Sequence, residues 1–167
     1  MLRAQVSYSL SALFESLNLE GHFFGAGVTL GRRPKIASYQ DELAFYQSIA
    51  TSDFHVVFCE PGVELTLSCL TEILYAMLKS KPIVLIGGAL LLPRQASFYS
   101  KRIVHTNSQL FYSISIEELA TSIASRVSSL PIAVTYPLNK NQRILIRSVV
   151  REHLYKLFVH DKLQHRF

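Results

Sequence analysis

The stretch from Ser52 to Gly88 constrains the fold of this chain more than any other part of it. It contains two short apolar runs, FHVVFC and PIVLIG, separated by a loop with Pro61 and Gly62 and by the segment LTLSCLTEILYAMLK. Apolar residues recur at helical spacing in that segment, whereas the two short runs are typical of buried strands. The order strand, helix, strand predicts a parallel βαβ unit. Ligands of such units bind at the carboxyl ends of the strands, so we expect a site in the loop after FHVVFC.

The segments around this unit continue the alternation of helices and strands. Helical spacing predicts helices over residues 5–19, from Ser38 through YQDELAFYQSIA, and over ISIEELATSIASRVSSL with Ser115 as the N-cap. HFFGAGVTLG is typical of a strand, and NQRILIRSVVREHLYKLF predicts a long terminal helix. The expected fold is α/β: a three-layer Rossmann-like or flavodoxin-like sandwich with a mainly parallel sheet of about four to five strands and an added C-terminal helix.

Two parts of this pattern allow alternatives. AQVSYS, near the amino end, is either a short first strand or part of the first helix. After Gly88 we expect a short helix near residues 94–101, followed by a strand either at Arg102–His105 or at Leu110–Tyr112.

Composition excludes several classes of protein. The longest apolar runs are too short, and too interrupted by Gly and Pro, to span a bilayer, and the first residues lack the apolar core of a secretory signal. Two cysteines make no disulfide framework, so a cytoplasmic location is expected. GAG at 25–27 lacks the third glycine of a dinucleotide fingerprint, no P-loop is present, and His153 and His160 have no third ligand in register. We therefore predict no cofactor and no metal.

Charge divides the chain into two parts. Residues 1–138 contain ten Lys and Arg against ten Asp and Glu, whereas residues 139–167 contain seven against two, so the net charge of +5 belongs to the last part. We predict an α/β domain over 1–138 and a basic amphipathic helix over 139–167. That helix either packs on the domain or on a partner subunit, or it binds nucleic acid or another anionic surface.

The acidic residue best placed for chemistry at the loop is Glu72, in the helix that follows it. A helical wheel puts Glu72 opposite the Leu stripe, where a solvated surface glutamate would also lie, so both interpretations stay open. Small and polar residues around the strand ends are the candidates for ligand binding: Gly25, Gly27, Pro61, Gly62, Thr66, Ser68, Gly87 and Gly88.

The run EILYAMLKSKPIVL, from Glu72 to Leu85, resembles the nucleoside 2-deoxyribosyltransferases. In that family Glu-Ile-x-Tyr-Ala is followed by Lys-Pro at the same interval. Upstream, Asp41 and Asp53 occupy the places of two family aspartates, and the resemblance covers about residues 39–86. Two related groups share parts of the pattern. The loop PGVELT resembles that of lysine decarboxylase-like phosphoribohydrolases, and Cys69 with Glu72 resembles a motif of Toll/interleukin-1-receptor-like domains.

The resemblance implies an activity on the N-glycosidic bond of a nucleoside or nucleotide. Cleavage of that bond develops positive charge on the sugar, which a carboxylate stabilises or attacks. By the resemblance Glu72 would be that carboxylate and Asp41 the second acid. The alternative is a non-catalytic nucleotide-binding or oligomeric interaction module of the same fold, and a homo-oligomer is expected in either case.

Overall fold

The computed structural model of the chain describes residues 39–59, 61–115, 117–118 and 134–164. Four helices and three strands make up the main elements of this described part, together with a short 3₁₀ turn at Ser108–Leu110. In chain order they are α1 (Tyr39–Thr51), β1 (His55–Phe58), α2 (Leu67–Leu78), β2 (Ile83–Ile86), α3 (Phe98–Asn107), β3 (Tyr112–Ser113) and α4 (Lys140–Gln164).

The three strands form one parallel sheet in the order β1-β2-β3. His55 pairs with Ile83 and Val84 with Tyr112, so β2 lies between the other two strands. All four residues of β2 are buried, as expected for a strand covered on both faces. The predicted βαβ unit is confirmed, and the described chain is of the α/β class.

Alternate residues of the strands point to two apolar cores. Val57, Ile83 and Leu85 belong to the larger core, which also contains the apolar side of α2 and the buried residues of α1, α3 and α4. Val84 and Ile86 belong to a smaller cluster on the opposite face of the sheet. This separation follows from the two-residue period of a strand.

Helix α2 connects the two strands and begins at the carboxyl edge of the sheet. Thr66 is its N-cap, because the Thr66 hydroxyl accepts a hydrogen bond from the Cys69 backbone N–H at 3.1 Å. At the other end Ser80 adopts φ 55°, and the Tyr136 hydroxyl donates to the Lys81 carbonyl at 2.8 Å before β2 begins.

The terminal helix α4 packs against α1, α2 and α3. Ile146 and Val150 are buried in the larger core, and Leu154 packs against it. The helix runs from Lys140 to Gln164, beyond both ends of NQRILIRSVVREHLYKLF and within the predicted 139–167. Within the described residues no helix has the length and apolar character needed to cross a membrane.

After Gly88 the sequence allows a strand at either of two places, and the structure has it at the second. Arg102–His105 is not a strand, because these residues lie inside α3, which begins one residue after the N-cap Ser97. The Ser97 hydroxyl accepts from the Ser100 backbone N–H at 3.2 Å, and this cap shifts the helix toward the carboxyl end of the predicted 94–101. The strand near Leu110–Tyr112 exists as β3, displaced to Tyr112–Ser113.

Several predicted elements involve residues outside the described part. The helix over 5–19, the strand HFFGAGVTLG and the alternatives for AQVSYS lie there entirely. Of the helix after Ser115 the described part includes the beginning, where Ser115 and Glu118 form a capping box. The Glu118 N–H donates to the Ser115 hydroxyl at 3.1 Å, and the Ser115 N–H donates to the Glu118 carboxylate at 3.4 Å.

Candidate functional site: a buried carboxylate cluster

Three helices meet around a group of buried and half-buried polar side chains on the side of α2 away from its Leu stripe. Helix α1 contributes Glu42 and Tyr46, which are one turn apart, and α2 contributes Ser68 and Glu72. Helix α4 contributes His153, which contacts both Ser68 and Glu42. We call these five residues the carboxylate cluster.

Glu42 is the most deeply buried acid of the described chain, with none of its side chain exposed. Neither carboxylate oxygen has a hydrogen-bond partner among the described residues, and the His153 Nε2 atom lies 3.7 Å from Glu42 Oε2. Burial of a carboxylate without hydrogen bonds is costly, and native proteins retain few such groups. Glu42 is therefore a group whose presence calls for a functional explanation.

His153 has one ring nitrogen, Nε2, that faces two groups. This atom lies 3.1 Å from the Ser68 hydroxyl oxygen and 3.7 Å from Glu42 Oε2, and 17% of the side chain is exposed. A catalytic triad needs the acid and the hydroxyl on opposite ring nitrogens, so this arrangement is not a Ser-His-Glu triad. Instead, the imidazole joins the Ser68 end of α2 to Glu42 on α1.

Tyr46 supplies a hydroxyl that stays protonated. The residue is 3% exposed, and its ring meets the Tyr75 ring edge-on at a centroid distance of 5.0 Å. In the described part of the chain its hydroxyl has no hydrogen-bond partner. Burial raises the pKa of the Tyr46 hydroxyl well above its ordinary value of 10.0, and the negative charges of Glu42 and Glu72 raise this pKa further. Tyr46 therefore remains a hydrogen-bond donor at any physiological pH.

Glu72 is 4% exposed and lies near enough to Tyr46 for its charge to act on that hydroxyl. The sequence left open whether Glu72 faces solvent, and the structure buries it. Helix α2 has the sheet against one side and α1 and α4 against others, so the side opposite the Leu stripe is also covered. A helical wheel shows the relative directions of side chains but not which neighbours cover them.

The carboxylate cluster contains Glu42, which is adjacent in the chain to Asp41, the second acid expected from the resemblance. Asp41 is exposed in the first turn of α1, whereas Glu42 is buried. The signal that could have found Glu42 is its spacing, because Glu42, Tyr46 and Ile49 recur at i, i+4 and i+7 and form the buried side of α1.

The candidate ligand-binding residues lie mainly at the carboxyl edge of the sheet, apart from the cluster. Pro61, Gly62, Thr66, Gly87 and Gly88 are exposed there. Gly62, Gly87 and Gly88 have φ values of 72°, 98° and 155°, which a residue with a side chain adopts at a cost.

Ser68 and Glu72 lie in the carboxylate cluster and not at the edge of the sheet, and Gly25 and Gly27 belong to the part of the chain that is not described. Ser68 belongs to the carboxylate cluster through its contact with His153. Gly25 and Gly27 lie outside the described residues.

Since Glu72 follows Leu67 by five residues, it lies about 7.5 Å along the axis of α2 from the start of that helix.

Comparisons with known proteins identify no relative of this chain. No protein-family model, no curated protein and no solved structure matches it.

Proposed function

We propose that this protein cleaves or transfers the N-glycosidic bond of a nucleoside or nucleotide, with Glu72 as the carboxylate that acts on the sugar. The observation that supports this proposal is the burial of two carboxylates, Glu42 and Glu72, beside one protonated tyrosine. A pair of carboxyl groups is the set that glycosidic cleavage commonly uses, one acting on the sugar side of the bond and the other as the acid. Structural helix interfaces are normally apolar, so the presence of such a set at this position supports the proposal.

In the proposed reaction the Glu72 carboxylate forms a bond to the anomeric carbon as the carbon–nitrogen bond to the base breaks. Glu42 would supply the proton that the departing base takes, and would recover a proton from the water molecule or second base that then displaces Glu72 from the sugar. Water gives hydrolysis and a second base gives transfer. Tyr46 would donate a hydrogen bond to Glu72 or to a sugar oxygen, and Glu42 would be the second acid in place of the exposed Asp41.

Access to the cluster is expected along the seam between α2 and α4. Among the charged and aromatic side chains of the cluster, that of His153 is the most exposed. His153 Nε2 lies 3.1 Å from the Ser68 hydroxyl oxygen across this seam.

The test is release of free base from a panel of nucleosides, nucleotides and NAD, measured by chromatography. Glu72→Gln keeps the size of the side chain and should reduce release by about a hundredfold or more. Glu152→Gln is the matched control, because Glu152 is exposed on α4, and it should leave release unchanged. Tyr46→Phe should keep the fold and lower the rate. Release that is equal in the Glu72→Gln variant and the unmodified protein would refute the assignment of Glu72.

The second candidate is a non-catalytic module that binds a nucleotide at the carboxyl edge of the sheet. The observation in its favour is the exposed group of Gly62, Gly87 and Gly88, whose positive φ values leave backbone at that edge open to a ligand. Absence of base release from every substrate, together with a nucleotide-induced rise in melting temperature that Gly88→Val removes, would favour this candidate.

The finer features of the fold belong to the same proposal. We expect the described sheet to be part of a Rossmann-like sandwich of about four to five strands, with HFFGAGVTLG as one further strand. A cytoplasmic homo-oligomer remains the predicted state, and light scattering on the full chain, with a truncation before Asn139 for comparison, tests the oligomer.

A further inference from the structure

Basic and aromatic side chains form a stripe along the exposed side of α4, and the exposed Ile144 lies in it between Lys140 and Arg147. Successive residues of an α-helix are rotated by about 100°, and the six members of this stripe fall within a sector of about 80°. They are Lys140, Arg147, Arg151, Tyr155, Phe158 and Lys162, all of them exposed. We call this surface the basic stripe.

Among the described residues, no acid forms an ion pair with a cation of the basic stripe. Helix α4 contains two acids, and both are engaged elsewhere. Glu152 pairs with Lys156 at 3.1 Å, and Asp161 Oδ2 accepts a hydrogen bond from the Tyr39 backbone N–H at 2.7 Å. Throughout the described ranges no carboxylate lies within ion-pair distance of the four cations of the stripe. The stripe is therefore a local excess of positive charge on a chain that is otherwise nearly neutral.

The two aromatic rings of the stripe are in different situations. Phe158 meets the Tyr39 ring edge-on at 5.4 Å, and Lys162 Nζ lies 5.3 Å from the centre of the Phe158 ring. Tyr155 is 67% exposed and makes no ring contact within the described chain. A flat aromatic ring left open between cations is the feature that binds the face of a nucleic-acid base.

We propose that the basic stripe binds single-stranded nucleic acid, with the cations at phosphates and Tyr155 stacked on a base. At 1.5 Å per residue the stripe is about 33 Å long, which suits a segment of several nucleotides. A lipid surface fits less well, because an interfacial helix inserts an apolar face into the bilayer. The apolar face of α4, with Ile146 and Val150, is already packed in the protein core.

The experiment measures binding of the full chain to a fluorescein-labelled 20-mer of deoxythymidine by fluorescence anisotropy at several salt concentrations. Four phosphate contacts give a slope of about −3 for the logarithm of the binding constant against that of the salt concentration. Arg147→Ala with Arg151→Ala should reduce this slope to about −1.4. Lys101→Ala with Arg102→Ala removes the same charge from α3 and should leave binding and slope unchanged. Circular dichroism checks that the variants are folded.

A second variant separates stacking from charge. Tyr155→Ala should weaken binding of the oligonucleotide by about fivefold or more, because stacking on a base is lost. Heparin has negative charge but no bases, so its binding should be the same in this variant as in the unmodified protein.

Four results would overturn the proposal. They are absence of oligonucleotide binding at low salt, equal loss in the two double variants, no effect of Tyr155→Ala on the oligonucleotide, and binding to vesicles of phosphatidylcholine with phosphatidylserine in preference to the oligonucleotide. None of these results depends on base release, so the proposal succeeds or fails independently of the glycosidic activity.

Discussion

Acidification should destabilise this protein through His55, the buried histidine at the start of β1. The residue is buried, its backbone N–H donates to the Pro82 carbonyl at 2.8 Å, and its ring meets the Phe45 ring edge-on at 6.1 Å. Burial lowers the pKa of the His55 imidazole from 6.5 to about 4. Between these values the unfolded chain binds a proton at His55 and the folded chain does not, so the free energy of unfolding decreases as the pH falls through this interval.

The size of the effect follows from the two pKa values. At 1.36 kcal/mol per pKa unit, the difference between the unfolded and folded pKa of His55 corresponds to about 3 kcal/mol in the free energy of unfolding. This stability is present above pH 6.5 and is lost entirely below pH 4. About 2 kcal/mol of this is lost between pH 7.5 and pH 5. Since domains are stable by about 5–15 kcal/mol, a loss of this size is readily measured.

The assay is urea unfolding at pH 7.5 and at pH 5, followed by circular dichroism. His55→Phe and His55→Gln remove the titrating group, and both should lose about 2 kcal/mol less than the unmodified protein between the two pH values. His105→Gln, at an exposed position on α3, is the control and should behave like the unmodified protein. If both His55 variants lose as much stability on acidification as the unmodified protein does, the buried neutral imidazole is not the cause.

Five further substitutions test buried hydroxyls, core packing and the backbone, each by urea unfolding at pH 7.5. Tyr46→Phe should raise the free energy of unfolding by about 1 kcal/mol, because a buried hydroxyl without a partner is removed, whereas Tyr136→Phe should lower it by about 1 kcal/mol, because the hydroxyl bound to Lys81 is lost. The changes in the free energy of unfolding in these two variants must have opposite signs, and equal signs would contradict the two hydroxyl environments. Ile146→Ala should cost about 2–5 kcal/mol, and the same change at the exposed Ile144 should cost less than about 0.5 kcal/mol. Similar losses at the two positions would contradict the placement of α4. Gly62→Ala should cost about 1 kcal/mol, because φ of 72° strains a side chain although no atom lies within 4 Å of the added Cβ; a neutral result would contradict this backbone conformation.

Much of the fold between Ser52 and Gly88 could be predicted because local pattern and tertiary environment agree there. FHVVFC and PIVLIG are apolar enough to be buried strands, and the predicted helix over 65–79 contains α2 with its cap at Thr66. The segment 102–105 was ambiguous, because a short run such as RIVH fits a strand or one buried side of a helix. The N-cap at Ser97 and the packing of Ile103 and Val104 in the larger core favour the helix.

The candidate site was less predictable than the elements around it. The pattern of α2 gives the direction of Glu72 relative to the Leu stripe, but burial depends on α1 and α4. Asp41 and Glu42 are adjacent acids in the first turn of α1, where such charges normally compensate the helix dipole. Which of the two is buried depends on where α4 packs, and the local sequence does not specify that.

By itself, the sequence determined the α/β class, the parallel βαβ unit and the concentration of charge in the terminal helix, because each depends on residues close together in the chain. The tertiary structure alone decided that Glu42, Tyr46, Glu72 and His153 share one buried cluster. These four residues come from three helices, and His153 lies more than eighty residues from the others. Contacts at such separations arise from the packing of whole helices, which no local periodicity specifies.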